Sequence, residues 1–293
     1  MTATPTANGP STANQFYPYI FVFLWSTGFI GARYGLPHAA PLSFLTIRYI
    51  LVSLLMAGLA IAYRAPWPKD WRNWMHIGVT GLLMHAIYLG GVFIALGQGL
   101  PAAVCSLVVG LQPLLTAVTA GWFLGEKVLR RQWAGLFLGF VGTVLVLSDR
   151  LAGGFGLAGL SPALFALVAI TAGTLYQKRY CPSFDWRTGA VAQFVPAAAL
   201  TLVPAMVIEH LHVEFVPQMV FALAWLVLVL SVGAISLLNH LIRSGTAVSV
   251  VSLFYLVPAC TAALAWFLFD EALSTTALFG MAVALWGVSL SRR

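Results

Sequence analysis

The chain has 293 residues, 60% of them hydrophobic and 8% charged, with a formal net charge of +7 and a mean hydropathy of +0.92. A soluble domain carries about 25% charged residues, and 15 Lys and Arg with 8 Asp and Glu cannot solvate a fold of this size. A water-soluble enzyme, a nucleic-acid-binding module and a disordered chain are thereby excluded, and a bilayer, in which a span takes about 20 residues, leaves room for about ten spans.

The start, Met1 to Gln15, is rich in Thr, Ala, Asn and Pro and has no Lys or Arg. It lacks the basic region of a signal peptide, and residues 1–15 are expected to form a disordered cytoplasmic tail. Ten apolar runs follow, at 16–35, 41–63, 74–97, 101–124, 132–148, 161–180, 188–208, 217–241, 246–269 and 275–291. The breaks between them carry Pro, Gly and charge, as at Arg64 to Asp70 and Ser148 to Arg150. Alternate breaks differ in charge. One set of ends holds Arg64, Lys69, Arg72, Lys127, Arg130, Arg131, Lys178, Arg179, Arg187, Arg243, Arg292 and Arg293, whereas the opposite set holds Arg33 and Arg150. By the positive-inside rule both termini are expected in the cytoplasm. The excess positive charge flanks spans instead of forming a patch for nucleic acid. Glu209, His210, His212 and Glu214 then fall in an outer loop, as do Asp270 and Glu271. Cys105, Cys181 and Cys260 are too scattered for a disulfide framework or a thiolate metal site.

The chain aligns with itself at an offset of 145 residues. Nine identities fall within 99–142, without a gap: Ala102 with Ala247, Leu111 with Leu256, Pro113 with Pro258, Thr116-Ala117 with Thr261-Ala262, Ala120 with Ala265, Glu126 with Glu271, Gly135 with Gly280, and Gly142 with Gly287. Upstream, Gly28 meets Gly173. Ala and Leu matches mean little between apolar helices, but in-register Pro, Glu and Gly are not supplied by hydrophobicity. With five spans per copy, the second copy enters the membrane upside down. The expected fold class is therefore an all-α integral membrane protein whose ten helices form two inverted five-helix repeats, residues 16–149 and 150–293, in one structural domain. Such repeats usually place a substrate site near the midplane, between the halves.

Ala95-Leu96, Gly99, Ala102, Leu111, Pro113, Gly125-Glu126, Gln132, Gly135 and Gly142 resemble the pattern of an EamA domain. The second half repeats it as Ala247, Leu256, Pro258, Glu271, Gly280 and Gly287, with Asp270 in place of Gly. Trp25-Ser26-Thr27 and Arg48-Tyr49 are also similar to that family. The resemblance is to the ten-helix branch of the drug/metabolite transporter superfamily. It implies a bacterial inner-membrane permease, commonly an exporter of amino acids or related metabolites, with YddG-type exporters of aromatic amino acids as one branch. Its four-helix relatives carry a membrane-embedded Glu in their first helix. Here the first acidic residue is Asp70, and all eight acidic residues lie in loops or at span ends. A cation would find no buried counter-ion, which favours a neutral or zwitterionic substrate.

Polar groups inside spans are functional candidates. His85 and Tyr88, three residues apart in the third span, would share a helix face; His85 either lines a cavity or is a hydrogen-bonded structural residue. Gln112 precedes Pro113, and Tyr255 precedes Pro258 by three positions. The two prolines are expected to kink spans 4 and 9. Trp25, His85, Tyr88, Gln112 and Tyr255 are the expected substrate-binding residues, on a cavity drawn from spans 1, 3, 4, 6, 8 and 9. Arg48 could bind a substrate carboxylate, but so near the end of its span it is expected to snorkel to the interface, and Asn239 and His240 are expected to anchor the end of span 8. Tyr17, Tyr19, Trp67, Trp71, Trp74, Trp133 and Trp186 read as an interfacial belt. Gly135-x-x-x-Gly139 is a close-packing motif whose partner is span 10, through Gly280 and Gly287, or a second subunit. No catalytic residues, metal ligands or cofactor are expected; the partners would be a small-molecule substrate and membrane lipids, with monomer and homodimer both open. The expected function is export of small metabolites, amino acids foremost, by alternating access. A lipophilic-cation exporter and a passive pore are the alternatives.

Overall fold

A computed structural model describes residues 12–151, 158–181, 183–269 and 273–292. Ten helices occupy them: α1 Thr12–Gly35, α2 Pro41–Ala62, α3 Trp71–Gly97, α4 Val104–Leu124, α5 Arg130–Leu151, α6 Leu160–Tyr180, α7 Trp186–Val207, α8 Pro217–Ser244, α9 Ala247–Leu268 and α10 Thr275–Arg292. By length and composition α2 to α9 can each cross a membrane, and α1 and α10 are 24 and 18 residues long. Among the described residues, the β structure amounts to one isolated bridge, Ala39 with Val213. α1 begins at Thr12, inside the expected tail, whose residues 1–11 lie outside the described residues, as do Asp270 and Glu271.

Helix ends follow the local chemistry. Pro41 and Pro217 open α2 and α8 at the first helical position, where no N–H is needed. Asp185 caps α7 by accepting the Arg187 N–H, and Thr246 caps α9 by accepting the Ser249 N–H. Gly125 closes α4 at φ +71°, a left-handed position that only glycine adopts freely.

Two of the described carboxylates hold helix starts. Glu126 accepts the Ala247 N–H at the start of α9 with both oxygens, at 3.1 Å each. Glu209 accepts the Leu42 and Ser43 N–H groups at 3.0 and 2.6 Å, at the start of α2. Negative charge there offsets the positive pole of the helix dipole. Cations sit at the opposite poles: Lys178 donates to the Ile242 and Gly245 carbonyls, Arg179 to the Phe123 carbonyl, and Arg243 to the Phe184 carbonyl at 2.7 Å. At the Lys/Arg-rich end of the bundle these bonds tie α4, α6 and α8 to their neighbours.

Packing follows the repeat. α5 lies along α10 and α2 along α7, and each of these pairs joins a helix to its repeat-equivalent. α3 packs on α6 as α8 packs on α1, and α4 on α6 as α9 on α1. The α2/α7 pair is antiparallel, because Glu209 past the end of α7 meets the start of α2, while Thr188 at the start of α7 donates to the Pro66 carbonyl past the end of α2. In the α5/α10 pair, a Cβ on Gly135 would lie 2.6 Å from the Gly287 oxygen, and one on Gly142 would lie 2.7 Å from the Gly280 oxygen. The contacts are reciprocal and again antiparallel. Antiparallel pairing of equivalent helices places a pseudo-twofold axis across the helices, which is the inverted arrangement. Span 10 is thus the partner of the glycine motif.

The outer face is apolar and wide, with Leu54, Trp122, Phe165, Val203, Phe267 and Trp286 all more than half exposed. Such a surface suits lipid, not water. Most of the expected belt is exposed: Tyr19, Trp67, Trp71, Trp74, Trp133 and Trp186 reach solvent or lipid. Tyr17 instead packs edge-on against His240, 5.4 Å between ring centres.

Candidate functional site

Two helices break inside the bundle. α4 is interrupted after Val109 and resumes at Gln112; α9 tightens into a 3-10 turn over Ser252–Tyr255. Pro113 and Pro258 stand just beyond these breaks, where the ring would clash with the carbonyl four residues earlier. Two others widen into π-helical turns, Leu82–Ile87 in α3 and Leu226–Ala234 in α8. At the 145-residue offset the two π turns overlap, as do the two breaks. Gly173 of α6 lets the backbone approach Met84 in the first π turn, and its equivalent Gly28 of α1 does the same for Leu230 in the second. Wide turns of this kind are frequent at functional sites.

Trp25, His85, Tyr88, Gln112 and Tyr255 are all buried. Trp25 packs edge-on against Phe254, at 5.2 Å. Gln112 donates to the Thr174 hydroxyl of α6 at 3.3 Å. The Tyr255 ring covers Gly139 of α5. His85 stacks on Phe194 of α7 at 4.2 Å, while Tyr88 lies beside Cys105 of α4. Tyr49 of α2 is a neighbour of both, with its ring 6.2 Å from that of His85 and within electrostatic range of Tyr88; beyond it His85 meets α7 and Tyr88 meets α4. Among the described residues, no hydrogen bond or ring contact joins any two of the five. They occupy separate stations along the seam between the repeats.

That seam contains further polar groups. Gln177 of α6 donates to Asn239 of α8 at 2.9 Å, and Asn239 donates to Gln193 of α7 at 3.3 Å, beside His85. Asn239 thus faces inward, away from the interfacial role expected for it, while His240, the next residue, packs against Tyr17. Buried polar atoms without a protein partner concentrate here: both ring nitrogens of His85, Gln112 Oε1, Thr116 Oγ1, Gln177 Oε1, Gln193 Nε2, Tyr255 OH and Thr261 Oγ1. Thr116 and Thr261 are repeat-equivalents. Desolvated donors and acceptors of this sort cost about 1–3 kcal/mol each when unpaired, so the seam is chemically suited to a polar guest. It draws on α7 as well as on the helices expected to form it.

Arg48 departs most from expectation. It is 1% exposed, and its Nε and Nη2 donate to the Ser231 hydroxyl at 3.1 and 3.0 Å. It does not snorkel, because Ser231 in the α8 π turn presents an acceptor inside the bundle. A signal existed in the sequence: at the repeat offset Arg48-Tyr49 matches Gln193-Phe194, a polar residue followed by an aromatic one inside an apolar span.

Outside the spans, Asp185 accepts the Arg187 N–H and two guanidinium bonds, at 2.9, 3.1 and 2.9 Å. The Arg187 side chain holds this carboxyl below its ordinary value. Burial pushes the Cys181 thiol up, so it is a poor nucleophile. A shallow recess lined by Leu59, Tyr63, Trp186 and Arg187 opens on the surface at the ends of α2 and α7, away from the seam. No group of His, Cys, Asp and Glu among the described residues could hold a metal ion.

Inverted five-helix repeats, broken helices and a polar seam define a membrane transporter. Residues 16–148 and 157–293 each match the EamA-like transporter family, and the chain belongs to it. It is 24% identical to the uncharacterized transporter YvbV of Bacillus subtilis (strain 168), over 96% of this chain and 92% of that one. It is 24% identical to the uncharacterized inner membrane transporter YedA of Escherichia coli (strain K12), over 93% and 88%. The same identity relates it to the "probable amino-acid metabolite efflux pump" of Escherichia coli (strain K12), over 93% and 92%. A crystal structure of another protein shares the fold, with a TM-score of 0.80 at 23% identity over 96% of both chains.

Proposed function

We propose that the protein exports small zwitterionic metabolites, amino acids foremost, by alternating access across a bacterial inner membrane, with both termini in the cytoplasm. The observation that carries this reading is the chemistry of the seam. Its polar groups are amides, hydroxyls, one imidazole and the Arg48 guanidinium, with no carboxylate among the described residues. Amides and hydroxyls can serve both ends of a zwitterion, whereas a cation would need an anion, and none lies in the interior among the described residues. A relative named as an amino-acid metabolite efflux pump supports the substrate class. The Lys/Arg asymmetry supports the orientation, and a relative named as an inner membrane transporter supports the location. Exchange between two inverted halves supplies inward- and outward-open states of similar energy.

The test is counterflow in proteoliposomes loaded with unlabelled amino acids, following labelled phenylalanine or threonine with and without a pH gradient. Saturable exchange is expected, with competition among the amino acids. Flux that never saturates would mean a pore, and inhibition by quaternary ammonium compounds at low concentration would mean a cation exporter.

A further inference from the structure

We infer that Arg48 is the receptor for a carboxylate group of the transported molecule. The inference rests on the export reading above and narrows it to substrates that carry a negative group. Arg48 lies seven residues into α2, about 10 Å along the helix at 1.5 Å per residue. Its guanidinium remains charged under any physiological condition. A charge at this depth is costly unless it is compensated. Its hydrogen-bond partner in the protein is a neutral hydroxyl, Ser231 Oγ, which is itself fixed by donating to the Leu226 carbonyl across the π turn at 3.1 Å. No carboxylate pairs with Arg48 among the described residues. The described carboxylates that have partners are engaged elsewhere: Glu126 and Glu209 hold helix starts, Asp185 holds Arg187, and Glu214 faces His38 and His212.

The pseudo-symmetry supplies a comparison within the same molecule. The repeat-equivalent of Arg48 is Gln193, which joins α7 to α8 within the second half, whereas Arg48 joins α2 to α8 across the two halves; Gln193 makes its bridge with no charge at all. Bridging alone does not require a cation. The charge in the first repeat therefore answers to something that the protein does not contain, and the complement of a guanidinium is a planar anion. Ser231 occupies the edge formed by Nε and Nη2. The other edge, formed by the two terminal nitrogens, has the fork geometry that takes a carboxylate in two parallel bonds. Tyr49 and His85 stand within electrostatic range of the guanidinium, and Phe194 packs on both of their rings, giving an aromatic wall beside the charge. A lipophilic cation entering this seam would meet repulsion.

The experiment is phenylalanine counterflow in proteoliposomes with two competitors. One, 3-phenylpropanoate, keeps the carboxylate and lacks the amine; the other, phenylalaninamide, keeps the amine and lacks the carboxylate. With the unmodified protein, the acid is expected to compete at least ten times more strongly than the amide. Arg48→Gln is expected to raise KM for phenylalanine about tenfold and to erase the difference between competitors. Arg48→Lys should keep the preference at a higher KM, and it stands in if Arg48→Gln does not fold. Equal competition by acid and amide in the unmodified protein, or a preference that survives Arg48→Gln, overturns the inference and leaves amino-acid export standing. If no amino acid exchanges at all, the export reading fails on its own, and thermal unfolding in detergent decides the role of Arg48. Stabilisation by 3-phenylpropanoate of the unmodified protein but not of Arg48→Gln upholds it; equal stabilisation, or none, overturns it.

Discussion

The α5/α10 seam yields a quantitative test. A methyl group added at Gly287 would lie 2.6 Å from the Gly135 carbonyl oxygen. Cβ atoms do not come closer than 3.0 Å to another heavy atom, so α10 would have to withdraw from α5 by about half an ångström. The obstacle is backbone, and no rotamer change relieves it. Overpacking costs about 1–3 kcal/mol, and opening the helix pair also weakens its other contacts. Against this, Ala is favoured over Gly in a helix by about 1 kcal/mol. We expect Gly287→Ala to be about 2 kcal/mol less stable, which at roughly 2–4 °C per kcal/mol lowers Tm by about 4–8 °C. Gly58→Ala is the control, since that glycine is exposed on α2 with nothing within 4 Å; its Tm should hold or rise slightly. Reciprocity adds a second expectation. Gly135→Ala combined with Gly287→Ala should cost less than the sum of the two, because one withdrawal accommodates both methyl groups. Thermal unfolding in detergent measures the parent and all four variants. Gly287→Ala melting within a degree of the parent, or Gly58→Ala falling as far, would refute the backbone-contact argument.

Other expectations are more local. Glu126→Ala removes both acceptors of the Ala247 N–H and should cost about 1 kcal/mol as a lost cap and dipole partner, read as a Tm decrease of a few degrees. Asp185 titrates below its ordinary value because of Arg187, so this pair stabilises the fold fully above the ordinary aspartate pKa of about 3.9 and ceases to as pH falls through the lower folded value. The Tm gap between the parent and Asp185→Asn should therefore be present at pH 7 and close in acid; a gap unchanged at pH 3 would contradict the assignment. Asn239→Leu strands Gln177 and Gln193 and should destabilise by about 1–3 kcal/mol, visible in the same melting assay. Tyr255→Phe deletes a buried hydroxyl with no partner in the protein; Tm should hold or rise while KM for the substrate increases. A Tm loss without a KM change would assign Tyr255 to packing alone.

Much of the architecture was legible because the features behind it are rare in apolar sequence. Pro113 with Pro258, and Gly135 and Gly142 with Gly280 and Gly287, mark the duplication, and the odd number of spans per copy inverts it. Lys and Arg positions sort the two ends of the bundle. What stayed hidden was the facing of individual side chains. A soluble helix announces its buried side by alternating polar and apolar residues; here lipid and core are both apolar, so Arg48 and Asn239 carry depth but no direction. The π turns were equally silent, since Leu82–Ile87 and Leu226–Ala234 are composed largely of residues that a regular helix would also accept. The second of these turns gave Ser231 its place opposite Arg48.

The reciprocal glycine contacts are of the isologous kind that two identical chains make in a twofold homodimer. In such an assembly every residue occurs twice, and an arginine at the position of Arg48 would bring a second copy into the same core, two like charges in a medium that screens neither. Joining the halves in one polypeptide lifts that restriction. One half can then carry Arg48 while the other carries Gln193, and a scaffold built on symmetry acquires a polarity of its own.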